Sequence, residues 1–242
     1  MLTIHLNQAH RPAYLRRAGY AIMVTFGFNL LASLAMAIIL GPATLAGGSD
    51  LDRMRYIADN RLAVQLGWTA WIGATLSLVL FFHTMMDVLA AEQRRLLRFA
   101  FTLAAIGAAP DCLADLMALG VVPDLAERYL AALSNGQTEL AGVLLEQFRT
   151  WDRFSVLCTG GLGNTCYGLA GCLLTFALFR SGELNRPLRL LAFPLWAFTF
   201  FMSYGSFTLS ASILPVAVGT TMSIFLVWAF WIGVTLFQRS RA

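Results

Sequence analysis

The sequence predicts an all-α fold, a polytopic membrane bundle of six transmembrane helices in one domain spanning residues 1–242. Composition is the first observation behind this prediction. Of 242 residues, 58% are hydrophobic and only 12% are charged, and the mean hydropathy is +0.69. Because soluble domains carry about 25% charged residues, this chain has too little charge to cover a surface that faces water.

The second observation is a set of six apolar segments, each long enough to cross a bilayer, which requires about 20 mainly apolar residues. The predicted spans are about 18–41, 65–89, 97–121, 155–179, 189–211 and 213–237. Only the third carries charged residues close to its middle, Asp111 and Asp115. No linker or low-complexity tract divides the chain, so a single bundle is expected.

The distribution of arginine predicts the orientation of the spans. All 17 basic residues are arginines, and eleven of them lie in the two tails or after spans two and four. The other six lie in the longer connections, among eight acidic residues. The positive-inside rule therefore places both termini in the cytoplasm. Because the arginines are spread between apolar segments, no nucleic-acid partner is expected.

Short helical segments are expected in the two long outer connections. Ser49 and Asp52 have the spacing of a capping box at a helix start. Residues 123–152 indicate a helical hairpin, with Pro123 as a first helical position and a turn at 135–136. After the turn, apolar residues recur at mostly three- and four-residue spacing, at Leu140, Val143, Leu144, Phe148 and Trp151. The hairpin is either a plain interfacial connection or a lid.

The aspartate pair of span three is the main candidate site. Asp111 lies about 20 Å along the helix from Arg98, close to the middle of the bilayer. Asp115 is one turn nearer the outside on the same helix face, so the two carboxyls would be about 6 Å apart. Burial and mutual repulsion disfavour their charged forms, and a shared proton or a bound cation would relieve the conflict. In the alternative interpretation, Pro110 breaks the helix, Asp111 caps the break, and Asp115 reaches outer water.

Other spans offer polar side chains as further binding candidates. Asn164 in span four is expected level with Asp111, Asn29 lies near the middle of span one, and Tyr204 lies in the outer half of span five. Span four also carries a stripe of small residues at four-residue intervals, which favours close helix packing. The stripe is formed by Gly160, Asn164, Gly168 and Cys172.

His83 and Asp87 in span two are spaced four residues apart and are candidates for a proton relay to the aspartates. Alternatively, Asp87 pairs with Arg94 or Arg95 at the interface. The other two histidines lie in the N-terminal tail, so no three-histidine zinc site is expected. No metal and no cofactor is predicted.

The segments "PDCLADLMALGVVPDL" and "WDRFSVLCTGGLGNTCYGLAGCLLTFAL" resemble bacterial multi-spanning membrane proteins classed as domains of unknown function. The likeness covers about residues 65–180. It implies a six-helix protein of the bacterial inner membrane and implies no activity.

Three functions remain open at this point. The first is a transporter or channel for a small solute, proton or cation that uses Asp111 and Asp115. The second is a sensor, an assembly factor or a subunit of a larger membrane complex, in which the polar groups hold helices together. The third is an intramembrane enzyme that acts on a lipid or isoprenoid, using the aspartates with Asn164 and Tyr204. The expected partners are membrane lipid, a small solute or ion, and other membrane subunits.

Overall fold

The fold is all-helical throughout the part of the chain that the computed structural model describes, residues 11–44, 48–89, 91–210 and 212–241. The α-helices are α1 (Arg11–Ala35), α2 (Asp50–Asp59), α3 (Arg61–Val88), α4 (Arg94–Ser134), α5 (Thr138–Val156), α6 (Asn164–Ser181), α7 (Arg186–Phe207) and α8 (Ile213–Arg239). Two π-helical segments, Met36–Leu40 and Leu157–Gly163, extend α1 and join α5 to α6.

Within the described ranges, six helical segments are long and apolar enough to cross a membrane, which confirms the predicted bundle and makes the chain a multi-pass membrane protein. The outward faces of these helices carry exposed large apolar side chains. Leu66 on α3 is 60% exposed, and Ile106 on α4 and Phe193 on α7 are exposed as well. Such a surface is unsuited to water but matches the acyl chains of a bilayer.

The spanning helices are arranged as a closed ring. α1 packs on α3, α3 on α4, α4 on α6, α6 on α7, α7 on α8, and α8 returns to α1. We call the end where α1 begins and α8 finishes the terminal end, and the opposite end the capped end. Because each helix packs mainly on two neighbours, the middle of the ring must be filled by side chains or left hollow.

The terminal half of the ring is filled by aromatic side chains. Phe81 lies 5.4 Å from Trp228 between ring centroids, and Trp196 meets Trp228 edge-on at 5.7 Å. Both indole N–H groups are satisfied, since Trp228 donates to the Leu188 carbonyl and Trp196 to the Thr175 hydroxyl, each at 2.9 Å. Aromatic contacts of this geometry stabilise beyond simple area burial. This half of the bundle therefore has a closed, dry centre.

Helix α4 runs unbroken through both of its prolines, which corrects two predictions. Pro110 does not break the helix, so Asp111 caps no half-helix, and Pro123 is an interior residue rather than the first residue of a hairpin helix. Spanning helices tolerate proline because neighbouring groups satisfy the freed backbone carbonyl. At 41 residues, α4 is about 60 Å long and projects well beyond a hydrocarbon core of about 30 Å.

The predicted hairpin is therefore the projecting part of α4 and α5, which turn at Asn135–Gly136 as expected. Gly136 has φ of +70°, a conformation that glycine adopts without strain. On α5, Leu144 and Phe148 are buried as the pattern predicted, and Trp151 is partly buried. The other two residues of that predicted face, Leu140 and Val143, are exposed.

Helix α2 lies across the capped end of the ring and packs against α4. Its first turn has half of the predicted capping box: the Ser49 hydroxyl accepts from the Asp52 amide at 3.2 Å, but the Asp52 carboxylate accepts from that hydroxyl at 2.5 Å and not from a backbone N–H. Met54 and Ile57 of α2 join Leu144 and Phe148 of α5 in one apolar cluster. The cap is thus a packed layer on the bundle and not a loose connection.

Candidate functional site

The centre of the ring is hollow in its capped half. A cavity of about 620 Å³ lies there, within the range of about 300–1,000 Å³ typical of small-molecule sites. Along α3 its lining runs from Val64 to Leu78, which corresponds to about 21 Å of helix. The wall is mainly apolar, and Trp68, Trp71 and Met222 contribute to it. The cavity therefore reaches from the cap to the middle of the bundle.

Asp111 lies at the inner end of this cavity and is held by two hydroxyl groups. Its side chain is 5% exposed. Thr75 Oγ1 on α3 and Tyr167 OH on α6 both donate to Oδ2, at 2.9 and 3.0 Å. No described side chain donates to Oδ1, so this oxygen is available to a ligand. Three helices thus fix the carboxyl and leave one of its two oxygens without a donor among the described residues.

The close approach of α4 and α6 that allows this contact depends on Gly107. A Cβ placed there would lie 2.8 Å from Cys166 Cβ, 3.0 Å from the Gly163 carbonyl and 3.3 Å from the Tyr167 ring. No side chain larger than hydrogen fits in that space. The glycine therefore brings the Tyr167 hydroxyl within reach of Asp111.

The two predicted asparagines line the same cavity as Asp111. Asn29 Nδ2 donates to the Thr25 carbonyl at 2.9 Å and to Ser77 Oγ at 3.1 Å. Because a carbonyl only accepts, the atom that bonds to Thr25 must be the amide nitrogen of Asn29. Its amide oxygen, Oδ1, remains as a further acceptor. Asn164 is half-buried on the cavity wall. The structure thus brings together three of the side chains proposed from the sequence.

Asp115 has a different environment from that of Asp111. Its side chain is fully buried, it does not line the cavity, and neither carboxyl oxygen has a hydrogen-bond partner among the described residues. The expectation that Asp115 reaches outer water is therefore wrong. An unpaired carboxylate is far more costly to bury than the neutral acid, so this position suits an uncharged group.

An ion pair that the sequence reasoning missed closes the capped end of the cavity. Arg53 on α2 is 2% exposed and donates to both oxygens of Asp152 on α5, at 2.6 and 3.2 Å. Its guanidinium carbon lies 5.0 Å from the Phe148 ring centroid, and it also donates to the Ala43 carbonyl at 3.4 Å. Because the charges of this pair cancel, Asp111 is the one carboxyl without a cationic partner among the lining residues that the structure describes.

Three other predicted site residues are not at the cavity. Tyr204 is 58% exposed on the outside of α7. The side chains of His83 and Asp87 are 52% and 36% exposed near the terminal end, 3.9 Å apart. His83 is two turns from Thr75 along α3, or about 12 Å. A direct relay from His83 to Asp111 is therefore not formed, because the filled terminal half separates them.

The small-residue stripe of span four serves packing against α7. A Cβ on Gly160 would overlap the Ser206 side chain, and a Cβ on Gly168 would lie 3.0 Å from the Phe200 ring. Cys172, the last member, is exposed and takes no part. The stripe therefore sets the distance between α6 and α7, and two of its members, Gly160 and Asn164, line the cavity.

The sequence reasoning also missed Thr75 and Tyr167. Tyr167 is three residues from Asn164 on the same helix, and residues with that spacing share a helix face. The position of Asn164 could therefore have predicted that Tyr167 lies beside the site. Thr75 is one of four hydroxyl-bearing residues in the long apolar helix α3, and nothing in the sequence singles it out.

Comparisons with known proteins leave the site to be interpreted from its own chemistry. No protein-family model, no curated protein and no solved structure matches this chain. Over the described ranges, no three His, Cys, Asp or Glu side chains are grouped as metal ligands.

Proposed function

We propose that this protein is an integral protein of the bacterial inner membrane, with both termini in the cytoplasm, that transports a small solute bound at Asp111. The observation that carries the proposal is the carboxyl itself. Asp111 lies deep in the bundle, has no cationic partner among the described lining residues, and borders a cavity of about 620 Å³ with one oxygen that accepts no hydrogen bond from them. Ionisable groups at membrane depth are costly and mark substrate and ion pathways.

The position of the cavity supports transport over a purely structural role for the polar residues. A carboxyl that only joined helices would be packed on all sides, whereas Asp111 borders a space large enough for a solute. Aromatic packing closes the terminal half below it, and the pair of Arg53 and Asp152 closes the cap above it. A midplane site between two closures is the arrangement that alternating access requires.

The chemistry of the site favours a solute that donates hydrogen bonds or carries positive charge. Asp111 Oδ1 and Asn29 Oδ1 are both acceptors, and a proton on Asp111 would compete with a cation for the same oxygen. Binding of one would release the other. This competition provides a simple means of coupling solute movement to a proton gradient.

Flux through purified protein tests this proposal. Liposomes with an imposed pH gradient are loaded with ethidium, an organic cation that crosses bilayers slowly, and its fluorescence reports its movement. We expect wild-type protein to move ethidium faster than protein-free liposomes do, and Asp111→Asn to abolish the difference. Asp87→Asn is the matched control, because it makes the same change in an exposed carboxyl away from the cavity. Wild-type flux equal to that of empty liposomes, or equal flux in Asp111→Asn, would refute the proposal.

A further inference from the structure

The cavity has a side opening between the first and last spanning helices. Four of its lining residues are exposed, and they lie on two elements only. Ala37 belongs to the π-helical end of the first span, and Pro215, Gly219 and Ser223 belong to the start of α8. In the terminal half of the bundle α1 and α8 are in contact, and there Phe26 lies 5.3 Å from Phe230 between ring centroids.

The opening lies on the side of the bundle, between one and two helical turns inside the ends of the two helices that border it. Ala37 is six residues from Ala43, where the first candidate span ends, and Gly219 is six residues from Ile213, where α8 begins. Six residues correspond to about 9 Å along a helix axis. A Cβ on Gly219 would meet nothing within 4 Å, so the rim has free space at this point. Because both helices are longer than a hydrocarbon core of about 30 Å, this depth corresponds to the boundary between lipid headgroups and acyl chains.

The interior of the cavity is selective in charge. Its ionisable lining consists of Arg53, Asp152, Asp111 and the Tyr167 phenol. Arg53 and Asp152 neutralise each other at the cap, which leaves Asp111 as the single uncompensated acidic group. Trp68 and Trp71 are part of the wall, and indole is the aromatic ring that attracts cations most strongly. An apolar cavity with one acidic group at its inner end complements an apolar molecule with one cationic group.

We infer that the ligand of this cavity is a lipophilic amine that enters from the bilayer between the first span and α8, with its ammonium group on Asp111 and its apolar body along α3. This inference rests on the proposed function, since it names the solute class of the same site. It makes a separate claim about binding, which can hold or fail whether or not the protein moves solute.

Native mass spectrometry of the purified protein tests the ligand class with a matched pair of probes. Dodecylamine and 1-dodecanol have the same chain, and only the amine is charged at pH 7. We expect a one-to-one amine adduct with wild-type protein and at least about 30-fold weaker binding of the alcohol, equivalent to about 2 kcal/mol. Asp111→Asn should bind both probes alike. Equal binding of amine and alcohol by wild-type protein would overturn the inference, even if the variant fails to fold.

The route of entry is tested by a bulky residue on the rim. In protein held in lipid nanodiscs, Gly219→Trp should slow formation of the amine adduct several-fold. Gly27→Trp is the control, because Gly27 is an exposed helical glycine of α1 whose Cβ would also meet nothing within 4 Å, and it does not line the cavity. Equal rates in the two variants would refute lateral entry.

The two proposals fail in different ways. Selective amine binding without ethidium flux would refute transport and leave the ligand class standing. Ethidium flux that depends on Asp111, with no preference for amine over alcohol, would refute the ligand class and leave transport standing.

Discussion

The buried ion pair of the cap allows a quantitative prediction about stability. The change is Asp152→Asn, which removes the negative partner of Arg53 and keeps a side chain of the same shape. The Arg53 side chain is 3% exposed, so its charge would lose most of its compensation while remaining out of water. The loss in free energy of unfolding should therefore exceed the contribution of a surface ion pair, which is about 0–1 kcal/mol.

The size of the effect follows from the partners that remain. Removing one member of a fully buried pair costs about 3–5 kcal/mol. The Asp152 side chain is 20% exposed, and Asp50 Oδ1 stays 3.5 Å from the guanidinium. The asparagine oxygen can also still accept one hydrogen bond from Arg53. We therefore expect the free energy of unfolding to fall by about 2 kcal/mol, below the range for complete loss of the partner.

The assay is unfolding by sodium dodecyl sulfate in mixed micelles, followed by tryptophan fluorescence. Asp124→Asn is the control at the same end of the bundle, since its pair with Arg61 is solvent-exposed and should contribute little. The double variant Arg53→Met, Asp152→Leu removes both charges and should recover most of the lost stability. If Asp152→Asn costs no more than Asp124→Asn, Arg53 does not depend on this partner and the reasoning is wrong.

Three further predictions concern the site and its packing. Tyr167→Phe removes one of the two donors that hold the Asp111 carboxyl in place, so the apparent affinity for ethidium in the flux assay should fall about tenfold and the free energy of unfolding by about 1 kcal/mol. Gly171→Ala places a Cβ where it overlaps the buried Trp196 indole, so the free energy of unfolding should fall by about 1–3 kcal/mol. Asp115→Ala removes two carboxyl oxygens without partners, so stability should rise by about 1 kcal/mol.

Each of these has a control or an opposing outcome. Thr75→Val removes the other donor to Asp111 and should act in the same direction as Tyr167→Phe. Gly142→Ala changes an exposed helical glycine whose Cβ would meet nothing, so it should stabilise by up to about 1 kcal/mol. A marked loss of stability in Asp115→Ala would show that this carboxyl has a partner in the folded protein.

The spans and the capping box were predictable because their signals are local. Apolar length identifies a span, and the Ser49 hydroxyl satisfies the Asp52 backbone N–H within one helical turn. Proline was misread for the same reason, since local rules count the hydrogen bond lost at Pro110 and Pro123. The neighbours that make the loss tolerable belong to other helices and are invisible to those rules.

The candidate site was predictable only in part, since its members are distant in sequence. Asp111 was identified because a carboxyl in an apolar span is conspicuous by itself. Its partner Thr75 is 36 residues away, and nothing in its neighbourhood distinguishes it from hydroxyls that bond to their own helix. The pair of Arg53 and Asp152 is separated by 99 residues and depends on α2 packing beside α5. These contacts depend on which helices are neighbours in the ring. The lengths of the apolar segments in the sequence do not reveal that arrangement.

The most direct test of the account is the reactivity of the two aspartates toward dicyclohexylcarbodiimide in membranes. This apolar reagent dissolves in bilayers and converts a carboxylic acid that it reaches into a stable N-acylurea. Peptide mass spectrometry should find the adduct on Asp111, which borders the side opening through the cavity, and not on the enclosed Asp115. Gly219→Trp should slow the modification. An unmodified Asp111, or an adduct on Asp115 in its place, would contradict a cavity that opens from the lipid onto Asp111.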